Sequence, residues 1–186
     1  YLFTKEGISL SGWDPKLMQD RLAAEPFHLR VRGQDMIVAL QHDGTVNVFN
    51  RRGVSKDGFP LKLEGRFNSD IHVKMGDDLS TTELSVVSKN GLLSRFNLLG
   101  QIVTAKQLYR PNEESAFRLV VDALKKTFII VRKDFNRLVF INDGGEEFLS
   151  KDYLSDDGLS IQYYNFSRTN QLYVVTDLVQ GFSYIY

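Results

Sequence analysis

The side chains with the clearest potential for chemistry are three pairs of neighbouring acids. These pairs are Asp77-Asp78, Glu146-Glu147 and Asp156-Asp157. Two carboxyl groups that flank one glycosidic bond can share the work of its hydrolysis. Adjacent residues of a strand, however, point to opposite faces of a sheet, so neighbouring acids rarely meet the same substrate. The chain also lacks a nucleophile elbow, a phosphate-binding loop and a dinucleotide fingerprint, and we therefore predict no catalytic residue.

Metal ligands are equally sparse. His28, His42 and His72 are 14 and 30 residues apart, which is not the spacing of ligands on one element. The absence of cysteine excludes thiolate catalysis, disulfides and cysteine-bound metal. Acidic turns such as Asn142–Gly145 lack the alternating oxygen ligands and the terminal carboxylate of a calcium loop. We predict no metal site and no cofactor.

The overall composition argues against nucleic acid and anionic membranes as partners. The 186 residues include 23 Lys+Arg and 23 Asp+Glu, so the formal net charge is zero. A nucleic-acid surface or a surface for anionic membranes needs clustered positive charge, which this balance argues against. A hydrophobic share of 42% and a charged share of 25% are typical of a globular protein. Because no apolar run approaches the ~20 residues of a membrane helix, we expect no membrane insertion.

The elements that position these residues follow a repeat of 45–47 residues. One unit consists of an apolar run, a polar turn, a second apolar run and a turn that ends in glycine. The last core residue of the second run recurs in steps of 46, 47, 45 and 45, at Phe3, Phe49, Phe96, Ile141 and Tyr186. A period this steady indicates one structural unit that is repeated along the chain.

Each unit has the features of a four-stranded antiparallel sheet. Its runs of four to six residues are rich in Val, Ile, Phe and Tyr and partly alternate, which is typical of strands. Asp43-Gly44 and Asn90-Gly91 are strong hairpin turns. Four such strands in about 45 residues predict the blade of a β-propeller. The predicted fold is therefore all-β, with about four blades that form part of a larger propeller; a small ring and an open stack of sheets are the alternatives.

We treat residues 1–186 as one repeat domain or a fragment of one. The predicted blade units are 1–26 (partial), 27–69, 70–115, 116–159 and 160–186 (partial). Asp14–Glu25 departs from the pattern, because it combines an acid in the N-cap position, Pro15 and good helix formers. These residues permit a short surface helix, although a loop between blades is favoured.

The turns also carry a resemblance to a known superfamily. Val48-Phe-Asn-Arg-Arg-Gly53 runs on to Lys56-Asp-Gly-Phe-Pro60, and Gly12-Trp-Asp-Pro15 has the corresponding place after Gly7. The unit resembles repeats of bacterial β-propellers of the quinoprotein-like and WD40-like superfamily, and also large envelope proteins of the Bacteroidetes type. That resemblance implies a bacterial protein in the periplasm or at the cell surface. Its cofactor chemistry does not transfer, because the tryptophan-docking pattern and the cysteine pair of quinoproteins are absent.

A propeller collects equivalent loops at one face, which gives a candidate binding site. The turns between the second and third strands, together with the connections between blades, are expected to reach that face. Mixed charged and aromatic groups there suit a protein partner or a glycan. The alternative is that individual residues serve turn geometry alone. The predicted binding residues are Trp13, His42, Asp43, Phe59, Arg66, Arg110 and Asp134.

The leading functional hypothesis is a non-catalytic binding or scaffolding module from a larger, exported bacterial protein. Its basis is the repeat architecture, the neutral charge and the lack of a catalytic constellation. One alternative is the propeller domain of a glycan-active or quinoprotein-like enzyme whose catalytic residues lie outside this segment. Another is a lectin-like sugar binder, for which Trp13 or loop tyrosines would be presented to solvent.

Overall fold

The computed structural model describes residues 3–14, 16–153, 158–167 and 169–186. Within these ranges the chain forms fifteen β-strands and no helix, as the alternating apolar pattern predicts. No helix capable of crossing a membrane is found in the described part of the chain. The strands form four antiparallel sheets, three of them four-stranded and one three-stranded, which pack as successive propeller blades.

Each blade is built from strands that are consecutive in the chain. Blade 1 contains β1 (Phe27–Val31), β2 (Gln34–Leu40), β3 (Thr45–Asn50) and β4 (Leu61–Lys62). Blade 2 contains β5 (His72–Lys74), β6 (Glu83–Val87), β7 (Leu92–Asn97) and β8 (Ile102–Gln107). Blade 3 contains β9 (Ala116–Val121), β10 (Phe128–Asp134), β11 (Arg137–Ile141) and β12 (Glu147–Asp152). Blade 4 contains β13 (Leu159–Ser167), β14 (Asn170–Asp177) and β15 (Ser183–Ile185).

The core lies between blades rather than within a single sheet. Side chains of alternate residues leave each sheet on opposite faces, so one blade contributes to two neighbouring clusters. Val38 and Phe96 meet between blades 1 and 2, Leu119 lies between blades 2 and 3, and Phe140 and Tyr173 meet between blades 3 and 4. Among the described residues, no cluster of buried apolar side chains joins blade 4 to blade 1.

The turn that ends each repeat has one design. Asn97 follows the core residue Phe96, and its side-chain oxygen accepts hydrogen bonds from the Leu99 and Gln101 amides at 3.0 and 3.1 Å. The turn closes on Gly100, whose φ of 77° favours glycine. Corresponding side-chain-to-backbone bonds occur at Thr4, Asn50 and Asn142. A side-chain acceptor followed three residues later by glycine therefore explains the periodic glycines.

The segment before blade 1 is a loop, in agreement with the favoured interpretation. Its backbone bonds to blade 1 instead of to itself: the Ala23 amide donates to the Leu40 carbonyl at 2.8 Å, and the Asp20 amide donates to the Gln41 side chain at 2.8 Å. A helix would require these amides for its own hydrogen bonds. Pro15, on which the helix alternative depended, lies outside the described residues.

Candidate functional site

The turns between second and third strands and the blade-to-blade connections form one surface, which we call the loop face. Around blades 1 and 2 its segments are joined through the backbone. The His42 amide donates to the Arg21 carbonyl at 2.8 Å, and the Phe67 amide donates to the His42 carbonyl at 2.9 Å. One blade further, the Lys89 amide donates to the Arg66 carbonyl at 2.7 Å. Loops with paired backbone groups form a preorganised surface.

The same arrangement continues through blades 3 and 4. The Phe117 amide donates to the Lys89 carbonyl at 3.0 Å, and the Tyr153 amide donates to the Asn136 carbonyl at 2.9 Å. The Tyr153 hydroxyl then donates to the buried Asp177 carboxylate at 2.8 Å. The predicted grouping of turns and connections at one face is therefore present along all four blades.

His42 is part of the loop face but is buried within it. Its Nε2 lies 3.3 Å from an Arg21 guanidinium nitrogen and its Nδ1 lies 3.9 Å from an Asp20 carboxylate oxygen. A guanidinium only donates, so Nε2 must accept, which selects the neutral imidazole with its proton on Nδ1. Burial lowers the pKa of His42, and the positive charge of Arg21 lowers it further.

Asp43 is also on the loop face, where it holds its own turn together. Its carboxylate accepts from the Thr45 amide and hydroxyl, both at 3.0 Å, and from the Lys62 ammonium at 2.5 Å. The hydrogen bond from Lys62 is the largest cause that lowers the pKa of Asp43 to about 2. This carboxylate already has partners, so it is a poor candidate for a ligand contact.

Asp134 belongs to an ionic network around the buried Arg132 of blade 3. Its carboxylate accepts from the Ser115 hydroxyl at 2.6 Å and from Arg132 Nε at 3.2 Å. Arg132 is buried, pairs with Glu147 and lies with its guanidinium carbon 5.5 Å from the Tyr109 ring centre. A buried guanidinium requires such partners. Asp134 therefore stabilises the support beneath the loop face.

The two predicted arginines differ in their freedom. Arg110 folds back on its own loop, where it donates to the carbonyls of Glu113 and Ser115. Arg66 is exposed, and its side chain makes no hydrogen bond or ion pair with any residue that the structure describes. Of the two, only Arg66 is available to a partner without breaking existing contacts.

Trp13 and Phe59 are not on the loop face. Trp13 is buried, donates from Nε1 to the Arg51 carbonyl at 3.0 Å and packs edge-on against Phe49. Arg51 follows β3, at the end of the blade opposite the loop face, because neighbouring antiparallel strands reverse direction. Phe59 lies in the connection between β3 and β4 and packs against the core of blades 1 and 2. Trp13 therefore packs the segment before blade 1 against that blade, and Phe59 stabilises the packing between blades 1 and 2.

Sequence reasoning missed a set of exposed apolar side chains on the loop face. Phe135 is at the turn of blade 3 and is 74% exposed, while Leu178 and Val179 are at the turn of blade 4 and are 65% and 70% exposed. We call these three residues the apolar tips. Tyr109, in the connection from blade 2 to blade 3, is also exposed. The available signal was a large apolar residue in an otherwise polar turn, as in Phe135 between Asp134 and Asn136.

The acid pairs do not form a hydrolytic site in the described residues. Glu147 pairs with Arg132, whereas Glu146 accepts from the Asn142 side chain at 3.0 Å. Asp78 caps a turn through Ser80 and Thr81, and Asp156-Asp157 lies outside the described residues. The described part of the chain contains no group of three or more His, Asp or Glu side chains positioned to hold a metal ion.

Comparison with solved structures identifies the fold. Sqt1 from Saccharomyces cerevisiae has a TM-score of 0.61 at 12% identity, over 100% of this chain and 54% of its own. The Cps50 (Swd1) β-propeller domain from Myceliophteria thermophila has a TM-score of 0.55 at 13% identity, over 85% of this chain and 51% of its own. The fold is a β-propeller.

A third structure, BBS1N in complex with ARL6DN, has a TM-score of 0.53 at 17% identity and covers 87% of this chain and 50% of its own. At these levels of identity the likeness concerns the fold alone. The chain spans about half the length of the propellers that it matches. No protein-family model matches the sequence, and no curated protein matches it.

Proposed function

We propose that this chain is a non-catalytic binding module that uses its loop face to contact a partner protein. The observation that carries the proposal is that the apolar tips are exposed at the turns of two successive blades, on a face whose loops are fixed by backbone hydrogen bonds. Exposed apolar side chains on a rigid surface lose little conformational entropy on binding and gain from burial. The wider context that we propose is a larger exported bacterial protein.

The chemistry of the face supports this proposal over sugar binding. Trp13 is buried and bonded, so it offers no platform for a sugar ring. Asp43 and Asp134 are engaged by Lys62 and Arg132. A propeller in a protein complex, as in BBS1N with ARL6DN, is a precedent from a structural neighbour for a propeller that binds protein.

The test is quantitative affinity capture with three versions of the 1–186 chain. The first is the wild type, and the second replaces the apolar tips, as F135S/L178S/V179S. The third replaces equally apolar, exposed residues at the opposite ends of the blades, as V54S/L99S/L124S. We expect a protein from the source organism to be enriched by the wild type and the third version and lost with the second. Calorimetry with that purified protein should then give a dissociation constant weakened about tenfold or more by the tip substitutions.

Two results contradict the proposal. One is a set of captured proteins that does not differ between the tip variant and the wild type. The other is a captured protein that is lost only with V54S/L99S/L124S, which assigns binding to the opposite face. Circular dichroism and melting of all three versions provide the folding control, because substitutions of exposed residues change stability little.

A further inference from the structure

We propose that the part of the loop face between blades 1 and 2 binds an acidic peptide segment of the partner through Arg21, Arg66 and Lys89. These three residues are called the basic cluster. The inference rests on the proposed function and specifies the chemistry of one part of the same surface. It concerns blades 1 and 2, whereas the apolar tips are on blades 3 and 4, so the two halves of the loop face can be tested separately.

The backbone hydrogen bonds bring the basic cluster together around His42. Arg21 is bonded to the turn of blade 1 through the His42 amide at 2.8 Å. The Phe67 amide donates to the carbonyl of His42 in the same turn at 2.9 Å. Arg66 precedes Phe67 in the chain, and its carbonyl accepts from the Lys89 amide at 2.7 Å. Three segments that carry cations are thus held side by side, and their positions do not depend on flexible loops.

The cations of this cluster lack acidic partners. Neither Arg21, Arg66 nor Lys89 forms an ion pair in the described ranges, whereas Lys62 and Arg132 on the same face are paired. Four carboxylates are close to the two arginines in the chain, namely Asp20 and Glu25 near Arg21 and Glu64 and Asp70 near Arg66, and Asp20 lies 3.9 Å from His42. Asp43, next to His42, is already paired with Lys62. Among the charged groups that act on His42, the three cations of the cluster outnumber the single carboxylate of Asp20, so the charge around this ring is positive although the net charge of the chain is zero.

The neutral form of His42 is consistent with the excess of positive charge around its ring. Burial and the charges of Arg21, Lys89 and Arg66 all lower its pKa, and only Asp20 opposes them. An anion bound at the cluster would add negative charge beside the imidazole. By linkage, such an anion must raise the pKa of His42, because each ligand favours the binding of the other.

An acidic peptide fits the surface better than a polyanion does. Nucleic acid and anionic membranes are held by wide positive surfaces, whereas this chain has equal numbers of acidic and basic residues. The basic cluster is small, and the loop face continues from it to the apolar tips. A peptide that combines carboxylates with apolar side chains would match both halves of the face.

The test measures binding of a fluorescein-labelled peptide of eight glutamates by fluorescence anisotropy at low salt. The cluster variant is R21E/R66E, and the matched control is R51E/R52E, which reverses two exposed charges at the opposite end of blade 1. We expect the dissociation constant to rise about tenfold or more in the cluster variant and less than about twofold in the control. Addition of salt should weaken wild-type binding and should have less effect on the cluster variant.

A second readout depends on the site rather than on total charge. The His42 ring is followed by NMR through a pH titration with and without the glutamate peptide. We expect the peptide to raise the titration midpoint in the wild type and in R51E/R52E but not in R21E/R66E. A purely structural cluster would leave this midpoint unchanged by the peptide.

Three results overturn the inference. They are equal binding by the cluster variant and the control, tighter wild-type binding to oligo-dT than to the glutamate peptide, and tighter binding to phosphatidylserine vesicles. The variant F135S/L178S/V179S should bind the glutamate peptide as the wild type does. Failure at the basic cluster is thereby distinguished from failure of the proposed function, which is tested at the apolar tips.

Discussion

The buried aromatic side chains show how one repeat position acquires different roles. Phe96 is fully buried between blades 1 and 2, whereas Phe49, one period earlier, is half-buried beside Trp13, and Phe3 is exposed. Phe96 packs against the sheet of blade 1 and Phe49 packs against the segment before blade 1, so the burial of this position depends on what lies on that side.

Phe96→Ala should lower the free energy of unfolding by about 3–5 kcal/mol, because it removes a large side chain from a packed core. The control is Phe135→Ala, in which a mostly exposed side chain is shortened and for which we expect a change within about 0.5 kcal/mol. Urea denaturation of both variants measures the difference. A loss below about 1 kcal/mol for Phe96→Ala would argue against the repeat register.

His72 is a residue whose environment conflicts with its chemistry. It packs between blades 2 and 3 with its ring centre 4.9 Å from that of Phe128. Neither ring nitrogen has a hydrogen-bond partner among the described residues. The corresponding residue of blade 1 is apolar, because Phe27 pairs with Val38 at the place where His72 pairs with Ser85 in blade 2.

The burial of His72 predicts a loss of stability in acid. Burial lowers its pKa below the usual 6.5, and the nearby Lys126 backbone and Asp143 oppose this shift without overcoming it. Arg95 and Asp122 act on the same ring in opposite directions. The unfolded chain therefore binds a proton on this residue more readily than the native chain does. Stability from the neutral ring is complete above the unfolded pKa and is lost as the pH falls below about 6.5.

His72→Leu removes this titration and keeps a similar volume. We expect its free energy of unfolding to fall less than that of the wild type between about pH 7.5 and pH 5.5. Some dependence on pH will persist, because burial also lowers the pKa of His42. Urea denaturation across this range is the measurement. Parallel curves for the wild type and His72→Leu would contradict the assignment.

Residue types alone could not reveal which candidate site residues are free. The sequence identified Asp43 and Asp134 as charged turn residues, but their partners Lys62 and Arg132 depend on the way the strands pair. Trp13 was expected to be exposed because it lies in a loop. Its burial depends on Arg51 and Phe49 of the next repeat, which is a long-range contact that no local pattern contains.

At the level of elements, glycines allow successive blades to approach closely. A Cβ atom on Gly58 would lie 2.2 Å from the Leu99 carbonyl oxygen, at the β7–β8 turn of the next blade. The same contact occurs one repeat earlier between Gly12 and the Arg52 carbonyl. This Gly-aromatic turn is therefore an inter-blade joint, in which the aromatic side chain packs inward and the glycine backbone meets the neighbouring turn.

Gly58→Ala should be more destabilising than a glycine substitution at an open turn. The matched control is Gly33→Ala, because Gly33 also has positive φ, 76° against 83°, but has no atom within 4 Å of its added Cβ. Both variants incur the backbone strain of about 1–2 kcal/mol. The clash should cost Gly58→Ala a further 1–3 kcal/mol or so in free energy of unfolding. Equal losses in thermal or urea denaturation would show that the joint adjusts freely.

The strands could be predicted from the sequence, because the alternation and the turn residues that indicate them are local. Alternation in Thr45–Asn50 buries Val46 and Val48, and Gly44 adopts the positive φ that its turn requires. The sequence before blade 1 also permits a helix, whereas in the structure the Asp20 and Ala23 amides bond to Gln41 and Leu40 instead of to helical carbonyls. These bonds depend on the presence of the neighbouring sheet.

On the scale of the whole molecule, the two end blades each leave one face without a neighbouring sheet in the described part of the chain. The residue that follows the fourth strand is buried in blades 1, 2 and 3, where Leu63, Leu108 and Tyr153 are 2%, 3% and 7% exposed. The corresponding residue one repeat earlier, Leu17, is 94% exposed. At the other end, Ile185 of the edge strand β15 is also exposed. That further blades cover these faces in a larger ring stays a prediction.

Leu17 and Leu63 therefore provide a matched pair of positions for the same substitution. Leu63→Lys should prevent stable folding, because it buries an unpaired charge between two blades. Leu17→Lys should leave the melting temperature of the 1–186 chain within a few degrees of that of the wild type, or about 0.5 kcal/mol in stability. Equal loss of stability in both variants would show that residue 17 is covered in solution.

The same exposed ends should determine how the chain associates. Apolar sheet faces and an unpaired edge strand promote association, so light scattering of the wild type should give an average mass that rises with concentration. Adding charge at both ends, in Leu17→Lys/Ile185→Lys, should reduce this rise. Leu124→Lys/Phe135→Lys adds the same charge at exposed apolar residues away from the ends and should reduce it less. A concentration-independent monomer mass for the wild type would mean that the four blades cover these faces themselves, because monomeric proteins rarely expose large apolar patches.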